Sequence, residues 1–488
     1  MKNIILLTAI IAMLIIGWSC KDSFLEVVPQ DGRLSDAAFF KTTAQFDSFI
    51  YGAYAELQGV ADMISIPSSL QQDVTSNNSV AILPIYMSPS NDDFYNKFWQ
   101  PFFNISSRSN ILLEKVADAP TLDKTRIEGE AKFLRGFSYF NLARAFGTFP
   151  LLLQSYYDGQ ENIECTPENK IWDQVIADLK DASQKLPTRA LWGDANLGRA
   201  TRGTAYAFLA NAYMYKKDWA NGAKASEDLI ALGEFGLMPN VRDAFSRGKE
   251  NSKESLFEIQ FREDNNFNWG GNYNKGSLLP KLTAPSTVDD KYAPGGGWGS
   301  FVFTRKYADS FEAGDARRME LVKLPGEKYK GEDMPDTLLI PGVTATAKNA
   351  YSTKYWRGPK VGPSDLLNPQ NTPFFRYSEF LLNYAEILFE LGKPAEAYTQ
   401  LNLVRTRAKL PAKLVNPDRE TFFNALMNER RWELGMEPNI WFHYTRTGRA
   451  ANFLLSEYGV TFQEKWFKFP IPQKERNQNP KLCQNPGY

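Results

Sequence analysis

The chain has 488 residues, and its 56 Lys and Arg cancel its 56 Asp and Glu, so it lacks the cationic excess that displaces counterions from phosphates and is not read as a nucleic-acid binder. One histidine, His443, and three cysteines exclude a multi-histidine metal centre or a cysteine cluster within the chain, and no cofactor site is read. Hydrophobic residues at 43% and charged residues at 23% suit a folded globular body; the aromatic share of 14% is high, enough both to fill a core and to furnish flat ligand platforms.

Lys2 followed by the apolar run Ile4 to Ile16, ending at Gly17-Trp18-Ser19-Cys20, has the build of a lipoprotein signal over residues 1–19, cleaved before a lipidated Cys20. A plain secretory signal or uncleaved anchor is the alternative, and Gly17 stands where Leu is usual three residues before the cysteine. Residues 20–488 read as a single domain. Apolar residues at three- and four-residue spacing predict helices from Phe39 to Leu57 (within 36–57) and from Phe98 to Val116, with a long irregular stretch over 59–97. Arg126 to Phe146 is apolar on several sides, which predicts a helix buried among others; Gly147 and Pro150 stop it. Ile171 to Leu186 is a further helix ended by Pro187.

Residues 199–232 predict a helix pair turning at Lys216 to Trp219, and 374–408 predict another turning at Gly392-Lys393-Pro394. Small residues and lengths near 34 give both a tetratricopeptide-type look. Helices are thus expected mainly over 36–57, 98–232 and 374–408, framing a loop-rich region at about 255–373. Within it, Ser255 to Phe261 alternates as a strand, and the rest is dominated by Gly, Asn, Pro and aromatics. Cys165 and Cys483 lie far apart in sequence; a disulfide between them is open in an oxidising compartment, and two unpaired thiols are the preferred reading.

Sugar rings stack their C–H faces on Trp and Tyr while their hydroxyls take amide and carboxylate partners, and binding residues concentrate on loops of a rigid scaffold. Asp264 to Tyr273 has that composition, so Trp269 and Tyr273, with Asn268 and Asn272, are the first candidates. Tyr292 and Trp298 flank Gly295-Gly296-Gly297 and come next, although pinning a loop to the helical body suits Trp298 better. The 71–97 loop adds Asp73, Asn77, Tyr86 and Asp92, against a reading of Asp and Asn as turn residues. Trp99, Trp172, Trp219 and Trp432 read as core, and the glycine run lacks the Lys-Ser/Thr of a phosphate loop. No catalytic residues and no metal site are assigned, and His443 reads as a structural histidine.

Several blocks, taken in order, resemble the SusD-like (RagB/SusD) outer-membrane lipoproteins of the Bacteroidetes. They are Cys20-Lys21-Asp22-Ser23-Phe24-Leu25-Glu26; Glu130 to Arg135 with Phe146-Gly147 and Pro150-Leu151; Gly314-Asp315-Ala316-Arg317-Arg318; Arg376-Tyr377-Ser378-Glu379 with Asn383 to Glu386; Glu429 to Leu434; and Pro470 to Gln473 through Gln484 to Tyr488. The resemblance implies a mostly α fold: tetratricopeptide-like helix pairs forming a right-handed helical scaffold, with long irregular loops and minor β-structure. It also implies a non-catalytic nutrient-binding lipoprotein, lipid-anchored through Cys20 on the extracellular side of the outer membrane, that captures an oligosaccharide for a SusC-like TonB-dependent transporter. Capture of oligopeptides for the same type of transporter and surface glycoside hydrolysis are the alternatives; the latter needs two carboxylates roughly 5–10 Å apart. One departure is local: His443 stands where the family commonly has Asp.

Overall fold

The computed structural model describes residues 39–61, 70–76, 92–119, 123–155, 162–262, 276–285, 292, 296–329, 332–333, 349–356 and 369–488. The signal segment and Cys20 lie outside them. The helical periodicity of the sequence becomes a chain of packed helices. In α1 (Thr43–Ala61) it gathers Phe46, Ile50, Ala53 and Leu57 on one buried face. That face meets α2 (Asp92–Ala117), which begins six residues before the expected start and runs through Pro101. α3 (Lys124–Phe146) is buried on every side, as its lack of a polar face predicts; the Asp123 side chain caps its first turn and Gly147, at φ 76°, ends it.

Close approach of α3 to α4 (Glu168–Lys185) relies on a missing side chain: a Cβ on Gly136 would sit 3.1 Å from Leu179 Cγ. The buried Arg135 guanidinium grips Asp178 of α4 at 2.7 and 2.8 Å and donates to Asn110 Oδ1 of α2 at 2.9 Å, so one side chain fixes three helices. Then come α5 (Arg202–Lys216), capped reciprocally by Thr201 and Thr204, and α6 (Trp219–Ala231), capped by Asp218. α6 packs on α7 (Tyr377–Glu390), which turns at Gly392 into α8 (Pro394–Arg407). Each helix from α1 to α8 therefore packs on the next, although a long insertion separates α6 from α7. Trp99, Trp172 and Trp432 are core as expected, and Trp219 is half-buried against it.

Short ladders hold the insertion. β1 (Val74–Ser76) pairs antiparallel with β3 (Phe301–Phe303); β2 (Ser255–Ile259) pairs with β6 (Thr372–Arg376); β4 (Val322–Lys323) pairs with β5 (Tyr351–Ser352). β2 is the strand expected over 255–261, ending two residues earlier. The insertion is joined to α9 (Arg419–Leu434) by a buried ionic network. Arg376 contacts Glu254, Glu433 and Glu437, each at 2.7 Å; Arg407 reaches Glu433 at 2.5 Å and Glu254 at 3.2 Å. Arg317 holds Asp315 and Glu429 at 2.7 Å, and Lys354 meets Glu437 at 2.6 Å. Burial by itself would raise the Glu433 carboxyl, yet Arg407, Arg376, Arg317 and Lys354 outweigh it and hold the group well below the usual carboxylate range.

The expectation of unpaired thiols is corrected: Cys165 and Cys483 form a disulfide, with Cα atoms 6.0 Å apart. The C-terminal tail is brought there by Asn485, whose Nδ2 donates to the carbonyls of Phe146 and Phe469 at 2.9 and 2.7 Å. Spacing 318 residues apart carries no trace of that return.

Two substitutions test these ties. Arg376→Met leaves Glu254, Glu433 and Glu437 short of a buried counter-charge and should cost about 3–5 kcal/mol in equilibrium denaturation; a loss below 1 kcal/mol would show the network to be replaceable. Cys483→Ser should lower stability by about 2–4 kcal/mol, and a reductant should bring the parent to the same value.

Candidate functional site

The β1–β3 ladder decides which loops meet. Its register pairs Val74 with Phe303 and Ser76 with Phe301, so the chain leaving Ser76 and the chain arriving at Phe301 lie at the same end. The described end of the first stretch singled out in the sequence, at Ser76, and the described end of the second, before Phe301, therefore meet at one ladder. The β2–β6 ladder does the same for another pair of connections: Ile259 stands opposite Thr372, so the segment after β2 and the one before β6 share an end. There Asn371 Nδ2 donates to Glu258 Oε2 at 3.1 Å and to Gln260 Oε1 at 2.7 Å, locking the base of the Asn- and Trp-rich loop.

Of the sequence candidates, Trp269, Tyr273, Asn268, Asn272, Asn77 and Tyr86 lie outside the described residues, and of Asp92 only the helical backbone is described. Trp298 is half-buried. Its backbone N–H donates to Lys281 O at 2.8 Å, and the Lys281 ammonium lies 5.7 Å from its ring centroid while donating to Gly296 O at 3.2 Å. Gly297 permits this seating, because a Cβ there would lie 2.3 Å from Pro285 O. Trp298 thus takes the pinning role while remaining half-buried rather than fully buried.

Tyr292 is corrected: it is 3% exposed, packed 5.0 Å from Trp356 and 6.0 Å from Tyr329. With Tyr351 these rings are the small hydrophobic core of the insertion, and Trp356 Nε1 donates to Thr283 O at 3.1 Å. The sequence reading passed over Tyr351, Tyr355 and Trp356, an aromatic run inside a stretch dominated by Pro, Gly and Lys. That run was the available signal for a second core.

Asp73 is also corrected. Its carboxylate is fully buried, taking Arg431 Nη2 at 2.6 Å and Nε at 2.9 Å together with the Tyr458 hydroxyl at 2.5 Å. It anchors β1 to α9, and burial with the nearby Asp73 charge pushes the Tyr458 phenol well above its ordinary value. His443 is a buried structural histidine, with Nε2 2.9 Å from Glu379 Oε1, while Asn439 Nδ2 donates to Glu379 Oε2 at 2.8 Å. Burial, reinforced by Arg430, Arg446 and Arg144, keeps the imidazole neutral, well below its usual range; burial raises Glu379 to about 7. Near and below neutral pH the contact is a proton shared between a neutral acid and a neutral base.

Comparison with known proteins bears on this arrangement. A sequence profile described as the SusD family matches residues 341–488, and one described as starch-binding associating with outer membrane matches residues 23–214. SusD-like protein P38 of Formosa agariphila is 27% identical, over 100% of this chain and 99% of its own. SusD-like protein P2 of the same organism is 26% identical, over 94% and 95%. Among solved structures, a laminarin binding SusD-like protein superposes with TM-score 0.77 at 22% identity, covering 92% of this chain and all of the other. Surface glycan-binding protein A from Bacteroides thetaiotaomicron, in complex with laminarihexaose, gives 0.74 at 23% identity, covering 91% and 100%.

The protonation of Glu379 sets a pH dependence. Between pH 4.5 and about 7 the unfolded chain releases this proton while the folded chain keeps it, so the parent loses stability as pH rises through that window. Glu379→Gln escapes this loss, whereas the His443 term is common to both proteins. The variant should gain on the parent by about 2–3 kcal/mol from pH 4.5 to 7.5 in denaturant titrations; a difference independent of pH would refute the assignment.

Proposed function

Because the chain belongs to the SusD-like family, we propose that it is a non-catalytic, cell-surface glycan-binding lipoprotein that captures an oligosaccharide and delivers it to a SusC-like TonB-dependent transporter of the outer membrane. The observation that carries the reading is the register of the β1–β3 ladder, which sets the chain leaving Ser76 and the chain arriving at Phe301 at one end, with Trp298 three residues before β3. In this reading Trp269 and Tyr273 present ring faces to the sugar, and Asn268, Asn272, Asn77, Tyr86 and Asp92 supply hydroxyl partners. The glycan-binding neighbours of the same fold support a carbohydrate ligand, laminarin among the classes to try first. Lipid on Cys20 would hold the protein at the outer membrane, on its extracellular side. No helix among the described residues is long and apolar enough to cross a membrane.

Isothermal titration of the protein lacking residues 1–20 against laminarin-, starch- and other plant- and algal-derived oligosaccharides tests it. Binding to one class, weakened roughly 10- to 100-fold by Trp269→Ala with Tyr273→Ala, is expected. Peptide binding without glycan binding would overturn it in favour of oligopeptide capture, and turnover of a labelled oligosaccharide in favour of a hydrolase.

A further inference from the structure

A solvent-open cleft of about 540 Å³ lies between α2, the segment Pro150–Leu152 and the C-terminal helix Gln473–Gln478. Its volume falls within the usual range of small-molecule sites. Trp99 and Phe103 form its floor, with ring centroids 4.7 Å apart and planes inclined by 32°. Trp99 is almost wholly buried and supports Phe103, which is half-buried and shows part of its ring. The rims are polar. Gln100 and Asn104 project from α2 on one side; Glu475 and Gln478 stand on the other.

These rim groups keep hydrogen-bonding capacity. Gln100 Nε2 lies at 3.5 Å from Glu475 Oε1, at the outer limit of a hydrogen bond, and Gln478 is exposed. Asn104 commits Nδ2 to Glu56 at 3.2 Å, which leaves its carbonyl oxygen to accept. The far wall is rigid: Asn479 Nδ2 donates to Ile163 O at 2.8 Å, and the Cys165–Cys483 disulfide binds the two segments beside it. Among the described residues no lysine or arginine lines the cleft, so they offer an anionic ligand no counter-charge.

An apolar floor, amide rims, a braced wall and the absence of cationic side chains among the described residues suit a molecule with C–H faces and many hydroxyls. We propose that this cleft is a second carbohydrate site, taking a neutral oligosaccharide with one ring on Phe103 and its hydroxyls on Gln100, Asn104, Gln478 and Glu475. The assignment rests on the cleft itself and is independent of ligand capture by the loops.

The test titrates laminarihexaose, maltohexaose, cellohexaose, mannohexaose and xylohexaose into four proteins whose melting temperatures match. These are the parent, Trp269→Ala/Tyr273→Ala, the same protein with Gln100→Ala and Gln478→Ala added, and the loop variant carrying Asn104→Trp to fill the cleft. The loop variant should retain binding to at least one hexasaccharide. Removing the two glutamines should weaken that residual binding about tenfold or more, and Asn104→Trp should abolish it. Loss of all binding in the loop variant, or residual binding indifferent to both cleft changes, would overturn the second site while leaving the loop reading standing. Parent affinity unaffected by the loop changes and lost with the cleft changes would do the reverse. Binding of none of the five sugars by any protein would refute the cleft site, as would displacement of residual sugar by a neutral hexapeptide.

Discussion

The fold depends on a set of charges taken out of water. Arg376 closes β6 and contacts Glu254 beside β2, Glu433 on α9 and Glu437 just beyond it; Arg317 and Lys354 come to Glu433 and Glu437 from the insertion. Desolvating so many ions is expensive, and the arrangement is stable because each carboxylate meets two or more cations at hydrogen-bonding distance. This network seats the insertion on the helices together with apolar residues such as Phe301, Phe303, Tyr307 and Tyr355, which join the main core, while Tyr292, Tyr329, Tyr351 and Trp356 form a smaller cluster of their own.

From that seating follows the geometry of the candidate site. Asp73 is held by Arg431 of α9, which fixes the start of β1; β1 fixes β3 by register; and β3 meets Ala350 through paired backbone bonds of 2.8 Å. Strand ends that lie far apart in the chain, at Ser76 and Phe301, are therefore held together by a rigid base. The helices contribute stiffness in the same sense: Arg135 crosslinks α2, α3 and α4, and the disulfide closes the tail onto the segment that follows α3.

The blocks that made the sequence recognisable turn out to be mostly this ionic framework. Glu130 pairs with Arg126 and Arg199; Arg135 pairs with Asp178; Asp315, Arg317, Arg376, Glu429, Arg431 and Glu433 all sit in buried pairs. They identify the fold because burial of charge demands a specific partner, and a specific partner leaves a mark on sequence. Ligand-facing loops carry no such demand. Asp73 illustrates the difference: its loop setting suggested a sugar contact, and only its distance to Arg431 reveals an anchor. Tyr292 was misjudged for a related reason, since an aromatic beside glycines has the same local sequence whether it stacks on a ligand or on Trp356.

Local periodicity was sufficient for the helices α1 to α8, their turns at Lys217 and Gly392, and the strand at Ser255, because spacing of apolar residues and caps are properties of contiguous residues; α9 and the strand β6 were not read from it. Charge balance and the single histidine, likewise, were final when read. What the sequence left open were relations between distant residues: the return of Cys483 to Cys165, the pairing of Val74 with Phe303, and the aromatic core around Trp356. Each is set by how the insertion lies on the helices, a sum of many weak packing terms and a few buried charges, and no stretch of chain contains that sum.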